Sequence, residues 1–161
     1  MKIFSQHLLD ELAGRAAASP RRRAHHAIHA DAADPVQRFF VCANRDSYFR
    51  PHRHVVRSEM TLVVRGAFTV LVFDEEGRVT SRLTAGVGEA LLGYEIPPST
   101  WHTLLANTDG ATFLEIKEGP YNPETSAEPA VWAPAEGDSS VPAFLAWARS
   151  AEPGELAPRA A

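Results

Sequence analysis

Four residues of this 161-residue chain have the types and spacing to hold a metal ion: His52, His54, Glu59 and His102. His52 and His54 lie two apart in RPHRH, Glu59 follows five residues after His54, and His102 stands in PPSTWH. On a strand, residues i and i+2 share a face, so both imidazoles of the pair point the same way and Arg53 points opposite. A carboxylate from the next strand and an imidazole from a distant one can converge on them inside a small barrel. Three imidazoles and one carboxylate suit Zn, Mn, Fe, Co, Ni or Cu, and are too nitrogen-rich for Mg or Ca. On a six-coordinate ion, four protein ligands leave room for water or substrate, so the ion can polarise an oxygen or lower the pKa of a bound water. A His-x-His pair alone is common on polar surfaces, and a lone Trp-His is usually packing. With Glu59, Gly66 and the Pro-Pro-x-x-Trp-His turn in sequence order, they point together to one divalent transition metal, Zn, Fe, Mn or Ni.

The elements that must position these residues are short strands. VQRFFVCA (36–43), MTLVVRG (60–66), FTVLVF (68–73), VTSRL (79–83), EALLGYEI (89–96), WHTLLA (101–106) and ATFLEIK (111–117) are rich in β-branched and aromatic residues, with turn signals between them. Such spacing predicts an all-β antiparallel sandwich or barrel. Ahead of it, Ser5 is the expected N-cap of a helix with Leu8, Leu9, Leu12, Ala13 and Ala16 on one face, stopped by Ser19-Pro20. Residues 21–35 show no clear period and read as an ordered loop or arm. After Gly119 the composition turns proline-rich, which predicts a wrapping tail anchored by Trp132, with a short helix over 141–150. The expected organisation is therefore an N-terminal helix and arm (1–35), a barrel (36–118) and a wrapping tail (119–161).

Composition excludes other classes. Hydrophobic residues at 45% and charged residues at 22% are those of an ordinary globular chain, not of a disordered, collagenous or coiled-coil one. The apolar runs fall short of a transmembrane helix, and the N-terminus lacks the apolar stretch of a signal peptide. The one cysteine, Cys42, forms no intrachain disulfide, so a reduced, cytoplasmic setting is expected. Lys+Arg 16 against Asp+Glu 20, a net charge of -4, argues against nucleic acid as the main partner. The basic run Arg21-Arg22-Arg23, beside His25, His26 and His29, is short, lacks aromatic interleaving and is expected to be solvated or locally salt-bridged.

HRHVVRSEMTLVVRG resembles the first cupin motif, and GYEIPPSTWHTLLAN resembles the second. The resemblance implies a cupin double-stranded β-helix (a jelly-roll barrel) with His52, His54, Glu59 and His102 as metal ligands. The glycine usual ahead of the H-x-H is absent, and a proline-tryptophan turn replaces the usual P-x-G turn; neither departure removes a ligand. A narrower resemblance runs along most of the chain: PVQRFF, SYFRPHRH, VLVFDEEG, IPPSTWHTL, LEIKEGPYNP and VWAPAEG look like the WbuC family of cupin-fold metalloproteins. That family is associated with gene clusters for O-antigen and other surface polysaccharides.

Parity names the neighbours of such a site. If Glu59 points inward, so do Thr61 and Val63; Glu115 and Lys117 share one face of their strand, and Leu114 and Ile116 the other. Either the charged pair lines the metal pocket or it faces water; the resemblance to the WbuC family, which includes the E-x-K-x-G-P-Y stretch, implies the pocket. There Glu115 or Tyr48 would be the acid/base partner, with Glu115 held ionised by the cation and Lys117. Lys117, Arg38 and Gln37 are candidate substrate contacts, Arg38 through a carboxylate or phosphate, although an outer face suits Arg38 as well. His25, His26 and His29 reach the site only if the arm folds over the barrel. The reading is a metal-dependent enzyme acting on a small polar molecule, by isomerase/epimerase or non-haem oxygenase chemistry; the family resemblance alone implies a sugar or nucleotide-sugar derivative, in surface polysaccharide (O-antigen) biosynthesis. The alternative is a non-catalytic metal-dependent binding or sensing module. Outward apolar rows on the strands over 59–65 and 68–73 predict a homodimer.

Overall fold

The computed structural model describes residues 1–159. Helix α1, Gln6–Ala18, begins where the Ser5 side chain accepts a hydrogen bond from the Leu8 N–H, and ends where Ser19 turns extended. Its buried residues are Leu9, Leu12 and Ala16, one stripe at helical spacing. Among the described residues, ten strands follow in two five-stranded antiparallel sheets, and a second helix comes after them.

The first sheet has the order β1 (Arg23–Ala27), β2 (Val36–Ala43), β9 (Ala111–Glu118), β4 (Glu59–Arg65), β7 (Gly93–Ile96). The second has the order β10 (Glu128–Pro129), β3 (His52–Arg53), β8 (Trp101–Ala106), β5 (Ala67–Phe73), β6 (Val79–Gly86). Between them lies a core that includes Val41, Val63, Phe68, Val70, Leu104 and Phe113. The alternation that places these side chains inward turns the others to the outer faces.

Each outer face has its own cover. On the first sheet, Leu9, Leu12 and Ala16 of α1 pack on Phe40 and Cys42. On the second, Leu71, Phe73, Val79 and Leu105 are covered by Trp132, Phe144 and Ala148, the last two from α2 (Val141–Ser150). The turn after β5 fits this cover closely: Gly77 has φ +87°, and a Cβ there would lie 2.8 Å from the Trp132 ring. Only glycine meets both demands. Part of the first sheet's outer face stays open, with Met60 45% and Leu62 36% exposed.

The arm expected over 21–35 contains a strand, β1, which pairs with β2 from Arg23↔Ala43 to Ala27↔Phe39. Its sequence, RAHHA, carries no apolar alternation because one of its faces looks into a polar cavity. Conversely, the strand expected over 89–96 is regular only over Gly93–Ile96. Gly93 lies against β4, where a Cβ would stand 2.2 Å from the Thr61 carbonyl oxygen. No described helix is long and apolar enough to cross a membrane.

Candidate metal centre and its cavity

Strand β3 is short, and its single pairing with β8 sets His52 directly opposite His102. The two rings are 4.5 Å apart between centroids, and His54 sits 5.1 and 5.8 Å from His52 and His102. Each imidazole places a nitrogen within 4.8 Å of the others. The rings are held from behind by backbone carbonyls: Nδ1 of His52 by Arg50 and Nδ1 of His102 by Thr100, each at 2.9 Å, and Nδ1 of His54 by Ser126. A carbonyl only accepts, so each Nδ1 carries the hydrogen and each Nε2 is left as the ligating atom. His102 is fully buried, and its Nε2 has no hydrogen-bond partner.

Burial, with the neighbouring His102, pushes His52 down to about 3, and burial also lowers His102 from its ordinary value. Both rings are therefore neutral lone-pair donors across the physiological range. His54 differs: its Nε2 lies 2.7 Å from Glu59 Oε2. With Nδ1–H committed to Ser126, that contact is satisfied by an imidazolium or by a cation between nitrogen and oxygen. Two lone-pair donors, one of them the orphaned Nε2 of His102, and this nitrogen–carboxylate pair form a donor set that fits a divalent transition metal.

Glu59 lies beside the three-histidine group and joins it to a charged row. Its Oε2 accepts from Lys117 Nζ at 3.5 Å, and Lys117 reaches Glu115 Oε1 at 2.6 Å. Burial alone would push the Glu59 carboxyl up, but the His54 bond and the charge of Lys117 outweigh it and hold it well below the usual carboxylate range. Burial opposes the charge of Lys117, yet the two carboxylates raise its pKa above the ordinary lysine value. Glu115 moves the other way: burial, then repulsion from Glu59, push its carboxyl up, and Lys117 only partly offsets them. The expectation of a Glu115 held ionised is opposed by this protein environment.

These residues open on a cavity of about 530 Å³. Phe39, Phe49 and Phe113 form part of its wall, with Gln37 and Tyr121 also lining it. The arm does fold over the barrel: Arg23, His25 and Ala27 alternate on the face of β1 that lines the cavity, and His29 follows. His26, on the opposite face, is not part of the wall. His29 accepts the Arg38 N–H on its Nδ1 at 3.0 Å, and its ring meets Phe39 edge-on at 4.6 Å.

Two candidates lie elsewhere. Tyr48 is buried in the second sheet's outer cluster, 5.8 Å from the Phe144 ring, and donates its hydroxyl to the Pro134 carbonyl at 2.8 Å. Burial pushes that hydroxyl well up, so Tyr48 pins the tail and is not an acid/base partner at the histidines. Arg38 points to the outer face and pairs with Asp34 at 3.0 Å, away from the cavity. The sequence reading missed Arg23 and Phe49 as lining residues; Arg23 stacks over the Phe49 ring at 4.8 Å and donates to the Tyr48 carbonyl. RAHHA has no clear period, so strand parity gave no signal for Arg23. The role of the Ser126 carbonyl left none, because a backbone oxygen has no letter of its own.

The relatives place this architecture. Residues 4–85, half of the chain, match the model of the family described as Domain of unknown function (DUF6016), and the chain belongs to that family. No curated protein matches it. Among solved structures, it is similar to oxalate decarboxylase from Bacillus subtilis at pH 4.6, with a TM-score of 0.50 and 18% identity. An arginine-to-alanine mutant of the same enzyme gives a TM-score of 0.52, also at 18% identity. In both, the match covers 68% of this chain but only 28% of the other. At that identity the likeness shows the fold alone: the chain is all-β, of the cupin jelly-roll type, with a three-histidine cluster suited to metal binding.

Proposed function

We propose that the chain binds one divalent transition metal through His52, His54, His102 and Glu59, and acts on a small polar molecule seated in the cavity beside it. The observation that carries this reading is the buried, unpartnered Nε2 of His102 among imidazoles whose Nδ1 atoms are all tied back to carbonyls. When bound, the ion supplies a Lewis acid for a substrate oxygen. The chain's own residues supply the rest. Lys117 bridges two carboxylates, and Glu115, pushed up by burial, is placed to hold or release a proton at the cavity wall. A titratable pair that is not needed as ligands supports an enzyme over a simple binding module. The WbuC-like motifs support a sugar-related substrate from surface polysaccharide synthesis.

Elemental analysis of protein purified without chelators or a histidine tag tests the metal. About one equivalent of zinc, iron, manganese or nickel is expected. Protein that stays metal-free after reconstitution with all four sinks the reading.

A further inference from the structure

Gln37 is 1% exposed and lines the cavity. Its amide orientation is fixed, because Nε2 donates to the Asp34 carbonyl at 2.7 Å and faces that of Ala32 at 3.4 Å. The oxygen is thereby turned away from that loop, and Oε1 is buried with no hydrogen-bond partner. An unmet buried acceptor is costly and calls for a donor. The wall around it is short of free charge. Arg21 and Arg23 both reach Glu136 Oε1, and Lys117 lies between Glu59 and Glu115. An anionic group arriving here would face cations that are already matched. Beside Gln37 on the same face of β2 is Phe39, and the half-buried rings of Phe39 and Phe49 give the cavity an apolar wall suited to the flat side of a ring.

We propose that Gln37 is a specificity-determining residue whose Oε1 accepts a hydrogen bond from an uncharged ligand, a ring-bearing molecule with a hydroxyl donor. This names the ligand class for the cavity of the proposed metal enzyme and shares that reading of the site, but the wall itself is built without the ion. A site made to receive a hydroxyl rejects the analogue that lacks it, because the acceptor is then left unpaired.

The test uses the full chain as purified, with its metal content measured, and two probes that share a ring: benzyl alcohol and benzyl methyl ether. Titrations followed by NMR should give at least about tenfold tighter binding of the alcohol. The Gln37 side-chain amide signals should shift with the alcohol and not with the ether. The preference should vanish in Gln37→Met, which keeps the length and removes the acceptor. If that variant folds poorly, the wild-type amide signals decide alone. Equal affinities, no detectable binding of either probe, a preference that survives in Gln37→Met, or unmoved amide signals each overturn the inference. A protein that stays metal-free after reconstitution with zinc, iron, manganese and nickel but still prefers the alcohol sinks only the metal reading, and a metal-loaded protein without the preference sinks only this one.

Discussion

Replacing Trp132 with alanine should weaken the fold and the metal site together. Trp132 is 5% exposed, with its ring 5.0 Å from Phe73 and 6.4 Å from Trp101, and it lies against Gly77. Truncating a buried tryptophan to alanine costs about 3–5 kcal/mol. The indole N–H is buried without a partner, so deleting it removes a penalty of about 1–3 kcal/mol. The net loss then centres on about 2 kcal/mol, which lowers the melting temperature by about 4–8 °C for a domain of this size. The second effect is specific to the site. Trp132 anchors the segment whose Ser126 carbonyl holds His54 and whose Pro129 pairs with His52. Loss of such an orienting contact typically costs about 10–100-fold in metal affinity. Melting followed by circular dichroism gives the first quantity, and zinc titration against a chromophoric chelator gives the second. Leu12→Ala, on the buried face of α1 against the first sheet, is the control, because it should lower stability by about 2–5 kcal/mol without moving zinc affinity. Zinc affinity unchanged in Trp132→Ala, or equally reduced in Leu12→Ala, would refute the link between tail and site.

His102→Ala should abolish metal uptake, while His29→Ala, at the cavity wall, should leave it intact; elemental analysis of both reads the result. Acid should destabilise the metal-free protein from about pH 6.5 downward. Burial depresses His52 from 6.5 to about 3, so the unfolded chain binds the extra proton in that window, and the lowered Glu59 adds to the loss below its ordinary value of 4.5. A urea midpoint that rises on acidification across this range would contradict that sign. The exposed Met60 and Leu62 predict a homodimer by light scattering, converted to monomer by Leu62→Glu; a wild-type monomer at tens of micromolar would end that expectation.

The candidate ligands were legible because they are side chains with distinctive chemistry at strand parity. Parity also anticipated that Glu59, Thr61 and Val63 would be buried while Met60 and Leu62 faced out. It failed for β1, whose inward Arg23 and His25 look like surface residues because the space they face is a polar cavity rather than core. The letter of Tyr48 offers an acid/base group, but its ring lies in the second sheet's outer cluster and its hydroxyl donates to the Pro134 carbonyl. The outward apolar residues Leu71 and Phe73 suggested a partner surface, yet the chain's own tail and α2 cover them. That tail acts on the histidines largely through backbone oxygens and ladder hydrogen bonds, for which residue identity carries no mark.

The hold of residues 126–130 on β3 also orders events in time. A growing chain carries every proposed donor once residue 102 has been made. The carbonyl that turns His54, the strand that pairs with His52 and the Ala130 N–H that reaches Pro51 are all still to come. An ion met earlier would find His52 and His102 beside their local carbonyls, of Arg50 and Thr100, but His54 without the one that turns it. The proposed donor set is complete in orientation only once the later segment has paired with β3, so capture of an ion is expected to follow that step.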